Sequence, residues 1–152
     1  MLPGAIYSWI NYSNRWTIHA TREKPVRVCG LIVPWKFPLM ITTFKLAPAL
    51  TTGNTCILKP AVQTPLSALK LAEFILEPGI PEGVVKVLPD FGESAGDAIL
   101  RHRGVDKISF TVSTEIGKKI LMNGGIKRVT LELGGKNPNI ILSDADLDLA
   151  LG

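Results

Sequence analysis

The sequence has few of the residues that build metal centres and disulfide frameworks. Its 152 residues include only two cysteines, Cys29 and Cys56, and two histidines, His19 and His102. The cysteines lie in apolar, strand-like stretches and form no CxxC pair, and the histidines have no neighbours at ligand spacing. We therefore expect reduced thiols in the core, no disulfide and no metal ion.

The sequence also lacks long apolar runs, a signal-peptide pattern and a strong excess of charge of one sign. No stretch is long enough to span a bilayer, and no basic segment at the N-terminus precedes a compact apolar core, so we expect neither a membrane segment nor a signal peptide. The net charge of +4 is mild, and aromatic residues are not interleaved with Lys and Arg, which argues against nucleic acid as a partner. These absences favour a cytoplasmic protein, with a mitochondrial location left open.

What the sequence does contain is a regular alternation of strand-like and helix-like segments, in a length that suits one domain. Such alternation favours an α/β fold, with a parallel sheet between helices. The predicted strands are 17–20, 26–33, 56–58, 84–88, 107–110, 128–133 and 139–142, and the predicted helices are 1–16, 38–53, 64–79, 92–104 and one that begins near 115.

The unusual stretches of the sequence stand where predicted strands end. Parallel strands carry their carboxyl ends to one edge of the sheet, where folds of this kind bind ligands. We therefore expect a crevice for a nucleotide or a similar ligand at that edge. The stretches concerned are Pro34-Trp35-Lys36, Lys59-Pro60, Phe91-Gly92, Thr111-Val112-Ser113 and Glu132-Leu133-Gly134.

No single phosphate-binding motif settles the function. The sequence has no GxGxxG and no GxxxxGK[ST]. The nearest stretch, Gly92 to Gly96, can form a helix start that faces phosphate, but by itself it is more typical of a plain tight turn. Lys59 can hold a ribose or be a solvated lysine, and Ser113 can bind phosphate or serve only as a helix cap.

Four motifs in order are far more specific than any one of them. They are VPWKFP at 33–38, APALTTGNTCILKPAVQTP at 47–65, FTVSTEIGK at 110–118 and LELGGKNPNII at 131–141. Together they resemble the cofactor-binding domain of the NAD(P)-dependent aldehyde dehydrogenase superfamily, from about residue 25 to 150. The resemblance implies a Rossmann-like sheet with helices on both faces, NAD or NADP as cofactor and a small-molecule aldehyde as substrate. It implies a dinucleotide-binding domain at 25–152, preceded by a helix and strand at 1–24.

The resemblance also assigns roles to residues of this sequence. A cysteine thiolate of the family attacks the aldehyde, hydride passes to the cofactor, and a thioester remains. Glu132 occupies the position of the general base that activates water to hydrolyse that thioester, and Lys36 that of an asparagine that stabilises the oxyanion. The alternative for Glu132 is an ion pair with Lys127 or Lys136. The expected cofactor-binding residues are Ile32, Val33, Pro34, Trp35, Lys59, Gly92, Gly96, Ser113, Ile116 and Leu133.

The sequence departs from the family pattern in four respects. The family's nucleophilic cysteine lies downstream of the glutamate, beyond Gly152. Lys36 replaces the asparagine, and Val62 stands where many NAD-preferring members carry a ribose-binding glutamate. Val112 replaces a glycine of the usual FTGS, and a stiff β-branched side chain obstructs close approach of the backbone to phosphate.

Three readings follow from the sequence. The chain ends early in a helix that starts near Ser143, and its mean hydropathy is +0.25, so we expect a truncated cofactor domain that lacks the catalytic cysteine and is inactive alone. The second reading is a non-catalytic remnant that binds nucleotide, or that associates with itself or with full-length relatives. The third, an unrelated α/β protein with a phosphate-binding GGK loop, leaves VPWKFP and FTVSTE unexplained.

Overall fold

The computed structural model describes residues 7–14, 17–22, 24–77, 79–111, 113–138 and 140–151. They form two sheets. The first is an antiparallel pair, β1 (Tyr7–Asn14) and β2 (Thr17–Arg22). The predicted helix at 1–16 is therefore wrong over β1, where aromatic and β-branched residues favour a strand, and residues 1–6 lie outside the described ranges.

The rest of the chain alternates strands and helices as the sequence predicts. A π-helical turn, Gly92–Gly96, runs directly into helix α3. The elements are β3 Val28–Ile32, α1 Pro38–Thr51, β4 Thr55–Lys59, α2 Leu66–Leu76, β5 Val85–Val87, α3 Asp97–Arg101, β6 Lys107–Thr111, α4 Thr114–Asn123, β7 Arg128–Glu132 and α5 Leu147–Leu151.

The second sheet has five parallel strands in the order β5-β4-β3-β6-β7. The chain builds outward from β3 to β5 on one side and then crosses to β6 and β7 on the other. This is the doubly wound order of Rossmann-like folds, in which the direction of winding reverses between two central strands. The reversal lies between β3 and β6, so the ligand crevice is expected at their carboxyl ends.

Helices cover both faces of this sheet, as predicted. Cys29, Leu31, Cys56 and Leu58 pack with α1 and α2 on one face, and Ile108 on β6 packs with α3 and α4 on the other. Both thiols are free and buried. Burial raises the pKa of Cys56 to about 12, and burial also raises the pKa of Cys29.

Gly30 allows helix α3 to approach the sheet closely. A Cβ at this position in the middle of β3 would lie 2.5 Å from Cγ2 of Ile99 on α3 and 3.0 Å from Cδ1 of Ile108. Because α3 continues the π-helical turn without a break, this contact also fixes the turn beside the carboxyl ends of the strands.

Several predicted details are wrong. Helix α2 is predicted at 64–79 but runs from Leu66 to Leu76, with Pro65 as its N-cap residue. Residues 140–142 form no strand, and Asn139 lies outside the described residues. Near the end of the chain Asp146, not Ser143, accepts the first backbone N–H groups of α5, at 3.0 and 3.3 Å.

No helix within the described ranges is long and apolar enough to cross a membrane.

Candidate functional site

A cleft of about 650 Å³ opens at the carboxyl edge of the five-stranded sheet, where the winding reverses. Strands β3, β4 and β6, the π-helical turn and α4 all contribute to its walls. Eight of the ten residues predicted to bind a cofactor line it: Ile32, Val33, Pro34, Trp35, Lys59, Gly92, Gly96 and Ile116.

Lys59 is the buried cation of this cleft. It is the last residue of β4, and it is 5% exposed. Its Nζ donates to the carbonyl oxygen of Pro60 at 3.1 Å, which is its one hydrogen bond among the described residues. Burial lowers the pKa of the Lys59 ammonium, and the carboxylate of Asp90 acts in the opposite direction. Since an ammonium carries three donors, two of them remain for a ligand.

Asp90 organises the start of the π-helical turn and supplies negative charge near Lys59. Its Oδ1 accepts from the backbone N of Phe91 at 2.6 Å, and its Oδ2 accepts from Oγ of Ser94 at 2.7 Å. The bond from Ser94, then that from Phe91, and the nearby ammonium of Lys59 lower the pKa of Asp90. The carboxylate is therefore ionised at neutral pH, and both of its oxygens are engaged.

The end of β3 forms an apolar wall of the cleft. Trp35 lies on this wall and is 55% exposed. Lys36 is exposed and lies outside the cleft lining, with its Nζ 5.5 Å from the centroid of the Trp35 ring. The ammonium thus lies over the aromatic face, a favourable position for a cation.

Ser113 serves as the N-cap of α4. Its Oγ accepts from the backbone N of Ile116 at 3.3 Å, and it does not line the cleft. Leu133 is also outside the lining, and its side chain packs against Gly117 of α4, where a Cβ would lie 2.5 Å from it. The expected obstruction by Val112 concerns a position outside the described residues.

Glu132 and Ser113 lie at the same edge of the sheet. Strands β6 and β7 are parallel neighbours, and Glu132 pairs in register with Thr111, two residues before Ser113. Lys36 follows β3, which is parallel to β6. The predicted common edge for these three residues is therefore confirmed, although none of them lines the cleft.

Lys45 lies near Glu132, and the sequence analysis did not predict a role for it. It is 9% exposed in α1, and its Nζ lies 2.8 Å from Oγ of Ser109 on β6. Burial lowers the pKa of Lys45 to about 8, opposed by the negative charge of Glu132 and reinforced by Lys107. No local pattern of the sequence marks Lys45, because its partner Ser109 is 64 residues away along the chain.

Glu132 itself is exposed at the end of β7. In the described part of the chain, neither Lys127 nor Lys136 forms a salt bridge with it. The alternative of a simple local ion pair therefore has no support from the structure, and the charge that Glu132 influences is that of Lys45.

A doubly wound sheet with a cleft at its winding reversal is the arrangement in which α/β proteins bind nucleotides and similar ligands. Comparison with known proteins identifies the family to which the chain belongs. The sequence profile of the family described as "Aldehyde dehydrogenase family" matches residues 8–152. The chain therefore belongs to the aldehyde dehydrogenase family.

Individual relatives agree with this assignment. Retinal dehydrogenase 2 of Mus musculus is 59% identical over 134 residues, which cover 86% of this chain and 26% of that protein. The NAD⁺ complex of aldehyde dehydrogenase from Bacillus cereus is 49% identical with a TM-score of 0.82, over 96% of this chain and 30% of that one. The NADP complex of glyceraldehyde-3-phosphate dehydrogenase from Methanocaldococcus jannaschii is 40% identical with a TM-score of 0.81, over 92% and 31%. The chain thus spans about a quarter of the length of the curated relatives it matches.

Proposed function

We propose that the chain binds NAD or NADP in the cleft, as the cofactor-binding part of an aldehyde dehydrogenase. The observation that carries the proposal is the buried ammonium of Lys59. It lines the cleft at the winding reversal, and only one of its N–H groups is engaged in a hydrogen bond among the described residues. When bound, such a cofactor accepts hydride from the substrate.

The cleft has the shape and chemistry for a dinucleotide. Its volume of about 650 Å³ is in the range of sites for cofactor-sized ligands. Gly92 has nothing within 4 Å of the place of a Cβ, so the backbone of the turn is open to a ligand. Lys59 would hold the adenosine ribose, Trp35 and Pro34 would border the cofactor, and Ile116 would pack on it.

We propose the remaining roles from the family and from position at the sheet edge. Glu132 would act as general base on water, and its charge and that of Lys45 would act on each other. Ser113 would bind the pyrophosphate through the same Oγ that caps helix α4. Leu133, which follows β7 and packs against Gly117 of α4, would pack on the cofactor, and Lys36 would take the place of an oxyanion donor. The substrate class is an aldehyde.

The chain's own thiols do not suit the nucleophilic step. A nucleophilic cysteine needs a lowered thiol pKa and access to substrate, whereas Cys29 and Cys56 are buried with raised pKa values. Oxidation of aldehydes by this chain alone is therefore not expected.

Exposed apolar side chains favour a second candidate function, association with a protein partner. Phe44 of helix α1 is 70% exposed, and Met40, one turn earlier in the same helix, is 46% exposed. Apolar surface of this kind commonly marks a protein interface. A non-catalytic protein that pairs with a full-length relative or with itself would use such a surface.

The proposed cofactor site is tested by calorimetric titration of the chain with NAD and with NADP. Lys59→Met keeps the apolar stem but removes the donors, and Lys86→Met on the exposed face of β5 is the matched control. We expect weak binding, reduced about tenfold or more by Lys59→Met and unchanged by Lys86→Met. Absence of binding to either dinucleotide, or equal binding by all three proteins, would contradict the proposal.

A further inference from the structure

We propose that Lys45 is a covalent binding site for short aliphatic aldehydes, which its amine takes up reversibly as an imine beside Ser109 and Glu132. This reaction needs neither a dinucleotide nor a thiol, so it goes beyond the proposed function and does not depend on it. The inference is carried by a cluster of three groups, an amine, a hydroxyl group and a carboxylate, on one face of the five-stranded sheet.

The register of the strands places the three groups on that face. Ser109 of β6 points toward helix α1, because its Oγ accepts from Nζ of Lys45 at 2.8 Å. In the parallel pair β6 and β7, the partner of Ser109 is Thr130, which is two residues before Glu132. Paired residues of neighbouring strands share a face of the sheet, as do residues two apart along one strand. Glu132 therefore emerges on the face where Lys45 lies.

The sheet is open to solvent on this face next to Lys45. Thr130 and Glu132 of β7 are exposed, whereas their neighbours Val129 and Leu131 are partly buried on the opposite face. Lys45 keeps an exposure of 9% beside this uncovered surface. A small aldehyde therefore reaches the amine more readily than a bulky one.

The amine of Lys45 is available as a nucleophile at neutral pH. Burial lowers its pKa to about 8, opposed by the charge of Glu132 and reinforced by Lys107. Only the neutral amine attacks a carbonyl carbon, and a pKa about two units below the ordinary lysine value makes this form on the order of a hundredfold more abundant. The neutral amine can donate one N–H to Oγ of Ser109, which leaves the nitrogen lone pair unengaged.

The chemical step is an addition followed by loss of water. The nitrogen lone pair forms a bond to the carbonyl carbon, and the carbonyl oxygen takes the π electrons and one N–H proton. The resulting carbinolamine loses its hydroxyl group and the remaining N–H proton as water, and a C=N bond is left. The step consumes no oxidant and no reductant.

The carboxylate of Glu132 favours the product without blocking the amine. Among the described residues it forms no salt bridge with Lys45, so the amine remains accessible to a ligand. The imine takes up a proton to become an iminium ion, and this positive charge replaces that of the ammonium near Glu132.

The experiment treats the full chain with propanal and cyanoborohydride at about pH 7.5. The reagent reduces an imine to a stable propylamine, and peptide mass spectrometry at low conversion locates each modified lysine. Lys86, which is exposed on β5, is the internal control. We expect Lys45 to be alkylated about tenfold faster than Lys86, because restricted access offsets part of the gain in neutral amine. The α-amino group titrates in a similar range, but it lies in a different peptide.

The comparison within the unmodified chain decides the question without any variant. Alkylation of Lys45 at the same rate as Lys86, or more slowly, overturns the inference. In urea the advantage of Lys45 should disappear because it depends on the fold, and an advantage that persists there also overturns the inference. Lys45→Arg keeps a positive charge but not the nucleophile, so the fast site should be lost while the rate at Lys86 is unchanged. A fast site that remains in Lys45→Arg contradicts the assignment.

Discussion

Lys45 and Ser109 connect helix α1 to strand β6 through a buried hydrogen bond of 2.8 Å between Nζ and Oγ. The lysine lies close enough to Glu132 for the carboxylate to oppose the lowering of the Lys45 pKa by burial. A buried cation therefore interacts electrostatically with the proposed general base. The charge of this cation, Lys45, changes within an accessible range of pH.

The first prediction is that stability rises with pH because of Lys45. Its pKa is about 8 in the folded chain, below the ordinary value of 10.5. Between these two values the unfolded chain binds the additional proton, so the free energy of unfolding increases with pH, by at most about 3 kcal/mol. Below pH 8 both states are protonated and the cost of burying the charge is fully present. Urea denaturation at several pH values between 7 and 10.5 measures the trend.

Lys45→Met is the control for this pH dependence. It removes the buried charge, so at pH 7 the variant should be more stable than the unmodified chain, and the difference should shrink toward pH 10.5. The comparison of the two proteins is needed because the raised pKa values of Cys29 and Cys56 lower stability above about pH 9. A difference that stays constant with pH would show that Lys45 does not titrate as argued.

The second prediction concerns the thiols. Cys29 is 2% exposed and Cys56 is 1% exposed, and the thiolate is the reactive form. The folded chain at pH 8 should react very slowly with a chromogenic disulfide reagent, and both thiols should react at once in denaturant. Rapid modification of one thiol under native conditions would contradict the buried environment described above.

The third prediction tests the close approach of α3 to the sheet. Gly30→Ala places a methyl group 2.5 Å from Ile99 and should lower the free energy of unfolding by about 1–3 kcal/mol. Gly135→Ala is the control, since nothing lies within 4 Å of its Cβ position. Adding Ile99→Leu, which has the same number of carbons but no γ2 methyl on its Cβ, should recover part of the loss. No loss in Gly30→Ala would mean that α3 moves freely against the sheet.

The fourth prediction is that the chain alone does not reduce NAD or NADP in the presence of a short or a long aldehyde. The role proposed for Glu132, activation of water that hydrolyses a thioester, requires that the thioester has already formed, and a general base alone contributes only about 10²–10⁴-fold to a rate. A spectrophotometric assay of cofactor reduction is the measurement. Turnover that disappears in Glu132→Gln would show that Cys29 or Cys56 is catalytic, whereas turnover that persists in that variant indicates a contaminant.

The central strands were predictable from the sequence because parallel strands covered on both faces are continuous apolar runs. Stretches such as 28–33 and 56–58 have that character. Strand β1 was not predicted, because its mixture of apolar and polar residues also fits a helical face, and its pairing with β2 decides the structure. The absence of a strand at 140–142 shows the opposite error, since an apolar run alone does not provide a partner strand.

The site was predictable where position along a strand determines it. Residues at the carboxyl ends of β3 and β4, together with the π-helical turn, meet in one cleft because the sheet is parallel. Ser113 could not be assigned from sequence, because a cap and a phosphate ligand use the same oxygen. The contact between Lys45 and Ser109 joins residues 64 apart in the sequence, and no local pattern encodes it.

The register between β6 and β7 determines on which face of the sheet the side chain of Glu132 lies. Along β7, Arg128, Thr130 and Glu132 are exposed while Val129 and Leu131 are partly buried against α3 and α4. Neighbouring positions of a strand point to opposite faces, so a shift by one residue exchanges the two sets. A single residue inserted into the loop between α4 and β7 that shifted this register would turn the carboxylate away from Lys45, while an insertion of two could restore it. When a change in the length of that loop does shift the register, an odd number of residues therefore moves the carboxylate to the other face of the sheet, and an even number keeps it on the same face.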